Sequence, residues 1–373
     1  TIDDGSGTTA QAEIEITVNN LPDIPTLKKE TTPGIFTLED LPADLFFSLN
    51  SNNRFTQVSE IGVFTVDNEQ GTINNLSLGT SGYQEAALEN SKVIFSILPD
   101  SHLPNGLTLA DIERFLPLDE DTSFGFYLLK ENSTQAVFKE MQENGNSDEE
   151  IILSNSSLFQ TEVQPDGSWI LSWTDELNAM TVDLQVQQQQ PITIGTQLQN
   201  ERGLEVIDLS GESNSLTVEV TIHREAAVDN IVSLYKVQAD GSVTDPLTGE
   251  KITATSENQS RYVRAALANR VEGLDISSSN QTETTLAGEL EAGEIYAPMI
   301  IFDPAKQVNA NLANPDIWLE DVEVYFPWME VNSDGYDHIR LLGDNHFGFE
   351  DLPAGGDRDF NDLIVKVDLS PVD

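Results

Sequence analysis

Short runs of alternating apolar and polar residues, separated by Gly, Asn, Asp and Pro, make up most of this chain. Clear examples are LTVEVTIH (216–223), TVDLQVQ (181–187) and DLIVKVDL (362–369). A period of two places successive side chains on opposite faces of a strand, so each strand has one apolar face to bury. The pattern therefore predicts a mainly β fold, built from antiparallel β-sandwich domains of jelly-roll-like form with a few short helices.

An internal repeat divides the chain into two halves. Three segments recur in the same order: EIGVFTV (60–66) as NIVSLYKV (230–237), GYQEAALEN (82–90) as RYVRAALAN (261–269), and TSFGFYLLK (122–130) as GEIYAPMIIF (293–302). Each of the three segments thus occurs once in each half. The Ala- and Leu-rich pair is the best candidate for helices. The repeat predicts two related sandwich domains, residues 30–190 and 203–373, joined by a Gln-rich hinge at 191–202.

The first 25 residues follow a different pattern. In AQAEIEITVNN (10–20), Ile14, Ile16 and Val18 share one face of a single strand, which cannot bury that face by itself. The strand resembles the last strand of a cadherin-like or immunoglobulin-like repeat, so residues 1–25 are predicted to be the end of a preceding repeat and its linker. The alternative is a donor strand, residues 8–20, that completes the sheet of a neighbouring copy. Because the chain begins at Thr1 with neither Met nor a signal peptide, we expect a fragment of a longer polypeptide.

The charge balance favours cations as partners. The chain has 64 acidic and 18 basic residues, a formal net charge of -46, which argues against nucleic acid and anionic membranes. No apolar run is long enough to span a membrane, and the absence of cysteine excludes disulfides and thiolate metal sites. An acidic surface that only keeps the protein soluble remains an open alternative for the charge as a whole.

Near the end of the chain, acidic residues cluster around a Gly-Gly turn at residues 355–356. The five acids of this loop are Glu350, Asp351, Asp357, Asp359 and Asp362. Calcium prefers ~6–8 oxygen ligands, often from alternating residues of one loop, and a divalent ion would offset the repulsion between the carboxylates. Magnesium seldom uses a cage made only of protein, and zinc would favour His or Cys. The loop is therefore predicted to hold Ca²⁺.

The corresponding stretch of the first half keeps Asp175 and Glu176 but lacks the Gly-Gly turn and the later acids. Its strand pattern, TVDLQV, is retained. The fold thus requires the strand but not the acidic loop, which predicts a metal site in the second domain alone.

Two further features near this loop have alternative interpretations. Asp334 and Asp337, in the turn NSDGYDH, could complete the same metal site or a neighbouring one, or could form only a hairpin turn. Trp318, Trp328 and Tyr336 could offer a stacking surface to a ligand, or could belong to the core.

The stretch HIRLLGDNHFGFEDLPAGGDRDFNDLIVKVD (338–368) resembles the signature of the DUF4114 domain family, found in large secreted or surface proteins of bacteria. It is also similar to the calcium-dependent ligand-binding domains of bacterial RTX adhesins. The resemblance implies an extracellular or cell-surface location and a degenerate DUF4114-like domain in the first half. It also implies a calcium ion that helps to capture a peptide or a sugar. Carried over residue by residue, the implied ligand set is Glu350, Asp351, Asp357, Asp359, Asn361 and Asp362.

Two functions follow as expectations. The first is a calcium-dependent binding module of a secreted or cell-surface bacterial protein, active in adhesion or an extracellular matrix, with a glycan or peptide ligand. The alternative is a structural subunit of an extracellular filament, sheath or surface layer, assembled from neighbouring copies by strand donation. An enzyme is not expected, because the sequence has no Gly-x-Ser-x-Gly elbow, P-loop, His-Glu-x-x-His motif or dinucleotide fingerprint.

Overall fold

The computed structural model describes most of the chain. The described residues are 25–49, 57–99, 102–104, 107–108, 112–145, 147, 150–174, 179–302 and 323–372, with the backbone of two short N-terminal strands. The predicted strand that carries Ile14, Ile16 and Val18 lies outside the described residues.

Thirteen strands and two helices are described in the first half. The strands are β1 (Ile2–Asp3), β2 (Thr9–Ala10), β3 (Thr26–Lys29), β4 (Ile35–Glu39), β5 (Ala43–Leu49), β6 (Ser59–Val66), β7 (Ser91–Ile97), β8 (Glu113–Leu118), β9 (Ser123–Lys130), β10 (Ile151–Leu153), β11 (Phe159–Val163), β12 (Trp169–Thr174) and β13 (Ala179–Gln188). The helices are α1 (Tyr83–Glu89) and α2 (Thr134–Asn144).

Strands β1 and β2 pair only with each other, whereas β3 to β13 form two antiparallel sheets that face each other. One has the order β3-β4-β9-β6-β7 with β10 beside β9, and the other has the order β11-β12-β13-β5-β8. Their inward side chains make one apolar core, to which β5 contributes Leu45 and Phe47 and β6 contributes Ile61 and Val63. Burying this apolar area, at about 25 cal/mol per Å², is the main force that holds the two sheets together.

The second half contains eleven described strands and one α-helix. The strands are β14 (Ile207–Asp208), β15 (Leu216–Arg224), β16 (Ile231–Val237), β17 (Val243–Thr244), β18 (Lys251–Ile252), β19 (Glu283–Leu290), β20 (Ile295–Ile301), β21 (Val324–Tyr325), β22 (Ile339–Gly343), β23 (His346–Phe349) and β24 (Leu363–Pro371), and α3 is Gln259–Ala268. Short 3-10 turns lie at Gln197–Asn200, Ser256–Asn258, Met329–Val331 and Pro353–Gly355.

Both halves have the same strand order. The sheet β19-β15-β24-β23-β22 repeats β8-β5-β13-β12-β11 position by position, and β16 pairs with β20 as β6 pairs with β9. The mainly β, antiparallel sandwich fold with few short helices is therefore confirmed. The domain limits, and the relatedness of the two halves, stay predictions.

Helices cover the outer face of one sheet in each half, and matching side chains hold them there. Tyr83 of α1 donates a hydrogen bond to the Gly71 carbonyl at 2.7 Å, and Tyr262 of α3 donates to the Gly241 carbonyl at 2.7 Å. Gly71 and Gly241 both have positive φ, 72° and 76°, so each tyrosine is bonded to a left-handed turn. None of the helices in the described part of the chain is long and apolar enough to cross a membrane.

The two halves are packed together rather than only tethered. The buried Arg114 guanidinium, from β8, contacts the Asp344 carboxylate and donates to the Gln199 carbonyl at 2.7 Å. Arg340 of β22 lies 3.3 Å from the buried Glu60 carboxylate of β6. Gln199 is itself buried, although it lies in the segment predicted to be a hinge. Strand β22 and the β22–β23 turn therefore pack against the first half.

Candidate metal centre

The acidic loop connects β23 to β24 and has an unusual backbone. Five of its residues have positive φ: Ala354, Gly355, Gly356, Arg358 and Phe360, with φ values of 58°, 78°, 40°, 61° and 53°. The left-handed region is costly for residues that carry a Cβ atom, at about 1–2 kcal/mol each. Such a backbone persists only where its surroundings hold it in place.

The two glycines meet different steric demands. A Cβ atom on Gly355 would lie 2.3 Å from the ring of Tyr336, which passes directly beneath the turn. A Cβ atom on Gly356 would lie 2.3 Å from Oε1 of Glu350. The first glycine therefore allows the turn to rest on an aromatic ring, and the second leaves room for a carboxylate.

The loop brings all five predicted acids together in two groups that share Glu350. One group is Glu350, Asp351 and Asp362, and the other is Glu350, Asp357 and Asp359. In each group, one oxygen per carboxylate can be chosen so that all lie within 4.8 Å of one another. This is the spacing expected of oxygen atoms that converge on one cation, since calcium–oxygen distances are ~2.3–2.6 Å.

Hydrogen bonds from the backbone and from one distant side chain fix these carboxylates. Glu350 accepts from the backbone N–H of Arg358 at 3.0 Å, and Asp362 accepts from that of Asp351 at 2.8 Å. The Asn230 side-chain amide, just before β16, donates to Asp351 at 2.6 Å. The oxygen atoms are thus positioned before any ion arrives.

Burial makes ionisation of this cluster costly. Glu350 is 0% exposed, Asp351 2% and Asp362 9%. Burial, with the neighbouring Asp357, Asp359 and Asp351, raises the pKa of Glu350 to about 8. Burial and the Asp351 carboxylate raise the pKa of Asp362 to about 9.

Burial also raises the pKa of Asp351 and that of Asp359. Little positive charge faces the cluster among the described residues. Arg224 lowers the pKa of Asp351, but its guanidinium pairs with Asp229 at 2.7 Å. The His102 ring, from the first half, lies 3.8 Å from Asp359. The cluster therefore has an excess of negative charge that a divalent cation would offset.

The sixth residue of the implied ligand set, Asn361, lies next to the first half. Its side-chain amide donates to the His102 carbonyl at 2.6 Å, so its nitrogen is engaged there. Its backbone N–H donates to Asp359 at 3.3 Å, which helps to hold that carboxylate in the loop.

The turn NSDGYDH, which carries Asp334 and Asp337, contacts the loop but contributes no residue to the two carboxylate groups. Asp334 accepts from the backbone N–H of Ala354 at 2.6 Å and lies 3.0 Å from Nε2 of His338. Burial opposes its ionisation, but these bonds and one from Tyr336 N–H hold its pKa well below the usual range. Asp337 lies 3.3 Å from Nε of Arg340. Neither residue belongs to the two groups, and Asp334 braces the glycine turn.

Of the two predicted aromatic residues that the structure describes, Tyr336 lies against the acidic loop and Trp328 packs elsewhere. Trp328 packs on Gly241, where a Cβ atom would lie 2.5 Å from the indole Nε1, and it borders the core under α3. Tyr336 is half-buried under Gly355 and stacks near Phe360 with 6.4 Å between ring centroids. Trp318 lies outside the described residues.

Sequence reasoning missed two neighbours of the loop, Asn230 and His102. Asn230 opens a segment chosen only for its strand pattern, and His102 lies 257 positions before Asp359. Neither stands in a motif, so only the tertiary pairing of strands brings them to the site.

Comparison with known proteins gives one match. Residues 290–370 match the family model for DUF4114, a domain of unknown function. The match contains β20 to β23, all of β24 except Pro371, and the whole acidic loop, so the resemblance of this region to DUF4114 is supported. The comparisons with curated proteins and with solved structures gave no match. The similarity to RTX adhesins and a degenerate DUF4114 copy in the first half stay predictions.

Proposed function

We propose that this chain is a calcium-dependent binding module of a secreted or cell-surface bacterial protein. Its DUF4114 region would hold calcium through the 350–362 loop and use it to bind a glycan or a peptide. The observation that carries the proposal is the convergence of five carboxylates on one loop, three of them buried, with little facing positive charge.

Calcium suits this donor set better than other common ions. The groups offer only carboxylate oxygens, which are hard ligands, and the loop can add backbone carbonyls. Zinc would favour imidazole or thiolate, but the chain has no cysteine. Of the nearby imidazoles, His102 lies 3.8 Å from Asp359, and both ring nitrogens of His338 are engaged, by the Glu350 carbonyl and by Asp334. Magnesium usually keeps several waters and rarely enters a cage built only by protein.

The exposed position of part of the loop favours ligand capture by a bound ion in addition to stabilisation of the fold. Asp357 is exposed, so the group of Glu350, Asp357 and Asp359 opens to solvent on one side. An ion there would keep coordination positions for an incoming oxygen, and peptide carboxylates and vicinal sugar hydroxyls are suitable donors. Leu352, 39% exposed on the same loop, adds an apolar contact beside them.

Calorimetric titration of the full chain with calcium tests the metal site. The test variant changes Asp357, Asp359 and Asp362 to Asn. A matched control changes Asp119→Asn, Glu120→Gln and Asp121→Asn in an exposed turn, which removes the same charge without convergent geometry. We expect wild type and control to bind calcium and the test variant to lose binding at least tenfold.

Equal affinity in all three proteins, or no binding up to millimolar calcium, would contradict the metal site. A glycan and peptide array, probed in calcium and in EDTA, then tests the binding role. Retention that requires both calcium and the intact loop supports it. If calcium binds but no ligand is retained in either buffer, the ion only stabilises the fold.

A further inference from the structure

A pocket lies on the first half, away from the acidic loop, on the outer face of the sheet β11-β12-β13-β5-β8. Its volume is about 280 Å³. Its walls come from β5, β8, the end of β13 and the connecting segment that follows. The residues that define it best are Asp44, Phe115, Pro117, Gln187, Gln190 and Ile192.

An aromatic pair forms the apolar part of this face. Phe46 and Phe115 are directly opposite each other on β5 and β8, with ring centroids 4.8 Å apart. Strand alternation turns both rings outward, because the adjacent Leu45, Phe47 and Leu116 fill the core. Both rings are half-buried and so keep part of their surface available. Pro117 extends this apolar surface along β8.

The polar part of the pocket combines a buried carboxylate with amides. Asp44 is 4% exposed, and one of its oxygens accepts from the backbone N–H of Gln190 at 2.7 Å. Gln187 lies opposite Asp44 on β13, and its amide donates to Gln185 at 3.3 Å, which places two amides side by side. In the wall formed by the connecting segment after β13, the Thr196 hydroxyl donates a hydrogen bond to the Thr193 carbonyl at 2.8 Å.

This combination distinguishes between classes of ligand. Amides donate and accept hydrogen bonds, and a carboxylate accepts them, which together match hydroxyl groups that do both. Aromatic and proline surfaces match the apolar C–H face of a sugar ring. The formal charge of -46 and the buried Asp44 disfavour phosphates and other anions. The volume lies near the lower end of the ~300–1,000 Å³ typical of ligand pockets, which suits one small unit.

We propose that this pocket binds a hexose unit of a neutral saccharide without calcium. Phe115 and Pro117, both in the pocket wall, would carry the apolar face of the sugar, and Asp44 and Gln187 would bond its hydroxyls. The site uses none of the acidic loop, so it stands or falls independently of the calcium site. On the corresponding sheet of the second half, Thr221 and Thr285 bond to each other at 3.0 Å on the outer face of β15 and β19, so that face offers a control.

Affinity gel electrophoresis in EDTA tests the proposal. The full chain is run through native gels that contain dextran, a mixed-linkage β-glucan, mannan or galactan. The variants are Phe115→Leu, which keeps an apolar side chain but removes the ring, and Gln187→Ala, at a half-exposed position where no loss of folding is expected. Thr285→Ala is the matched control on the second half.

We expect at least one polysaccharide to retard wild type and control in EDTA. Each pocket variant should weaken this retardation about tenfold while its thermal melt stays close to wild type. The proposal is overturned if none of the four polysaccharides retards wild type, or if both variants are retarded as strongly as wild type. Because EDTA removes calcium throughout, failure here leaves the calcium proposal untouched, and failure of calcium binding leaves this one untouched.

Discussion

Replacing Glu350 by Gln should make the calcium-free protein more stable. The buried carboxyl has a pKa of about 8, against an ordinary value of 4.5. Between pH 4.5 and 7 the unfolded chain loses this proton while the folded chain keeps it. That difference costs the folded state about 1.4 kcal/mol per pH unit, or roughly 3 kcal/mol at pH 7. Gln cannot ionise, keeps nearly the same shape, and retains an oxygen for the Arg358 N–H.

The same substitution should reverse its sign in calcium. Calcium that binds only the folded state stabilises wild type by about 4 kcal/mol when its concentration is 1,000 times the dissociation constant. Glu350 belongs to both carboxylate groups, so Glu350→Gln should forfeit nearly all of this gain, which exceeds the roughly 3 kcal/mol that the variant gains without calcium. Wild type is therefore expected to be the less stable protein in EDTA and the more stable one in excess calcium.

Urea unfolding at pH 7, in EDTA and in millimolar calcium, measures both effects. Glu120→Gln, in an exposed turn, is the control and should follow wild type in both buffers. A Glu350→Gln protein that is clearly less stable than wild type in EDTA would refute the reasoning, since the carboxylate would then contribute favourably without a metal. Unchanged calcium stabilisation in that variant would refute the role of Glu350 as a shared ligand.

Three other predictions follow from the same geometry. In EDTA, the melting temperature of wild type should fall as pH rises from about 5 to 9. The pKa values of Glu350 and Asp362 are raised in the folded state, so the folded chain holds more protons than the unfolded chain over this range. Calcium should make the melting temperature less dependent on pH. Gly356→Ala should weaken calcium binding about tenfold or more by calorimetry, because its Cβ atom would contact the Glu350 carboxylate. Gly335→Ala, also at positive φ but with open space around it, should leave affinity near wild type. Arg340→Met should cost about 3–5 kcal/mol in urea unfolding, since it leaves the buried Glu60 without its ion pair, and a cost below about 1 kcal/mol would contradict that role.

Local patterns in the sequence were enough to predict the strands and the acidic cluster. The alternation in LTVEVTIH and DLIVKVDL corresponds to β15 and β24, which lie side by side with Val220 opposite Val367. The five acids meet because they lie within one short loop, so a contiguous motif already implied their proximity. The Gly-Gly turn is visible in the sequence, and the close approach of the Tyr336 ring and the Glu350 carboxylate gives the physical reason for its two glycines.

Contacts between distant segments were beyond the reach of the sequence. Trp328 packs on Gly241, and Asp334 bonds to Ala354; neither partner could be chosen from spacing alone. The half-buried aromatic pair on the outer face of its sheet is Phe46 with Phe115, on strands whose pairing joins residues about 70 positions apart. Strand alternation suggests that a ring faces outward, but only the sheet order shows that two such rings meet.

The shared packing of the two halves has a consequence for how such a protein could be cut or recombined. The segment that matches DUF4114 begins at residue 290, yet β24 is hydrogen-bonded to β15 and β20 to β16, both of which precede it. Leu342, Phe360 and Ile364 complete a core whose other buried residues belong to the first half. The segment that matches DUF4114 is therefore shorter than the unit whose strands pair and pack together. A gene fragment limited to residues 290–370 would give a chain with unpaired strand edges. An exchange between proteins that preserves the fold would therefore have to carry both halves together.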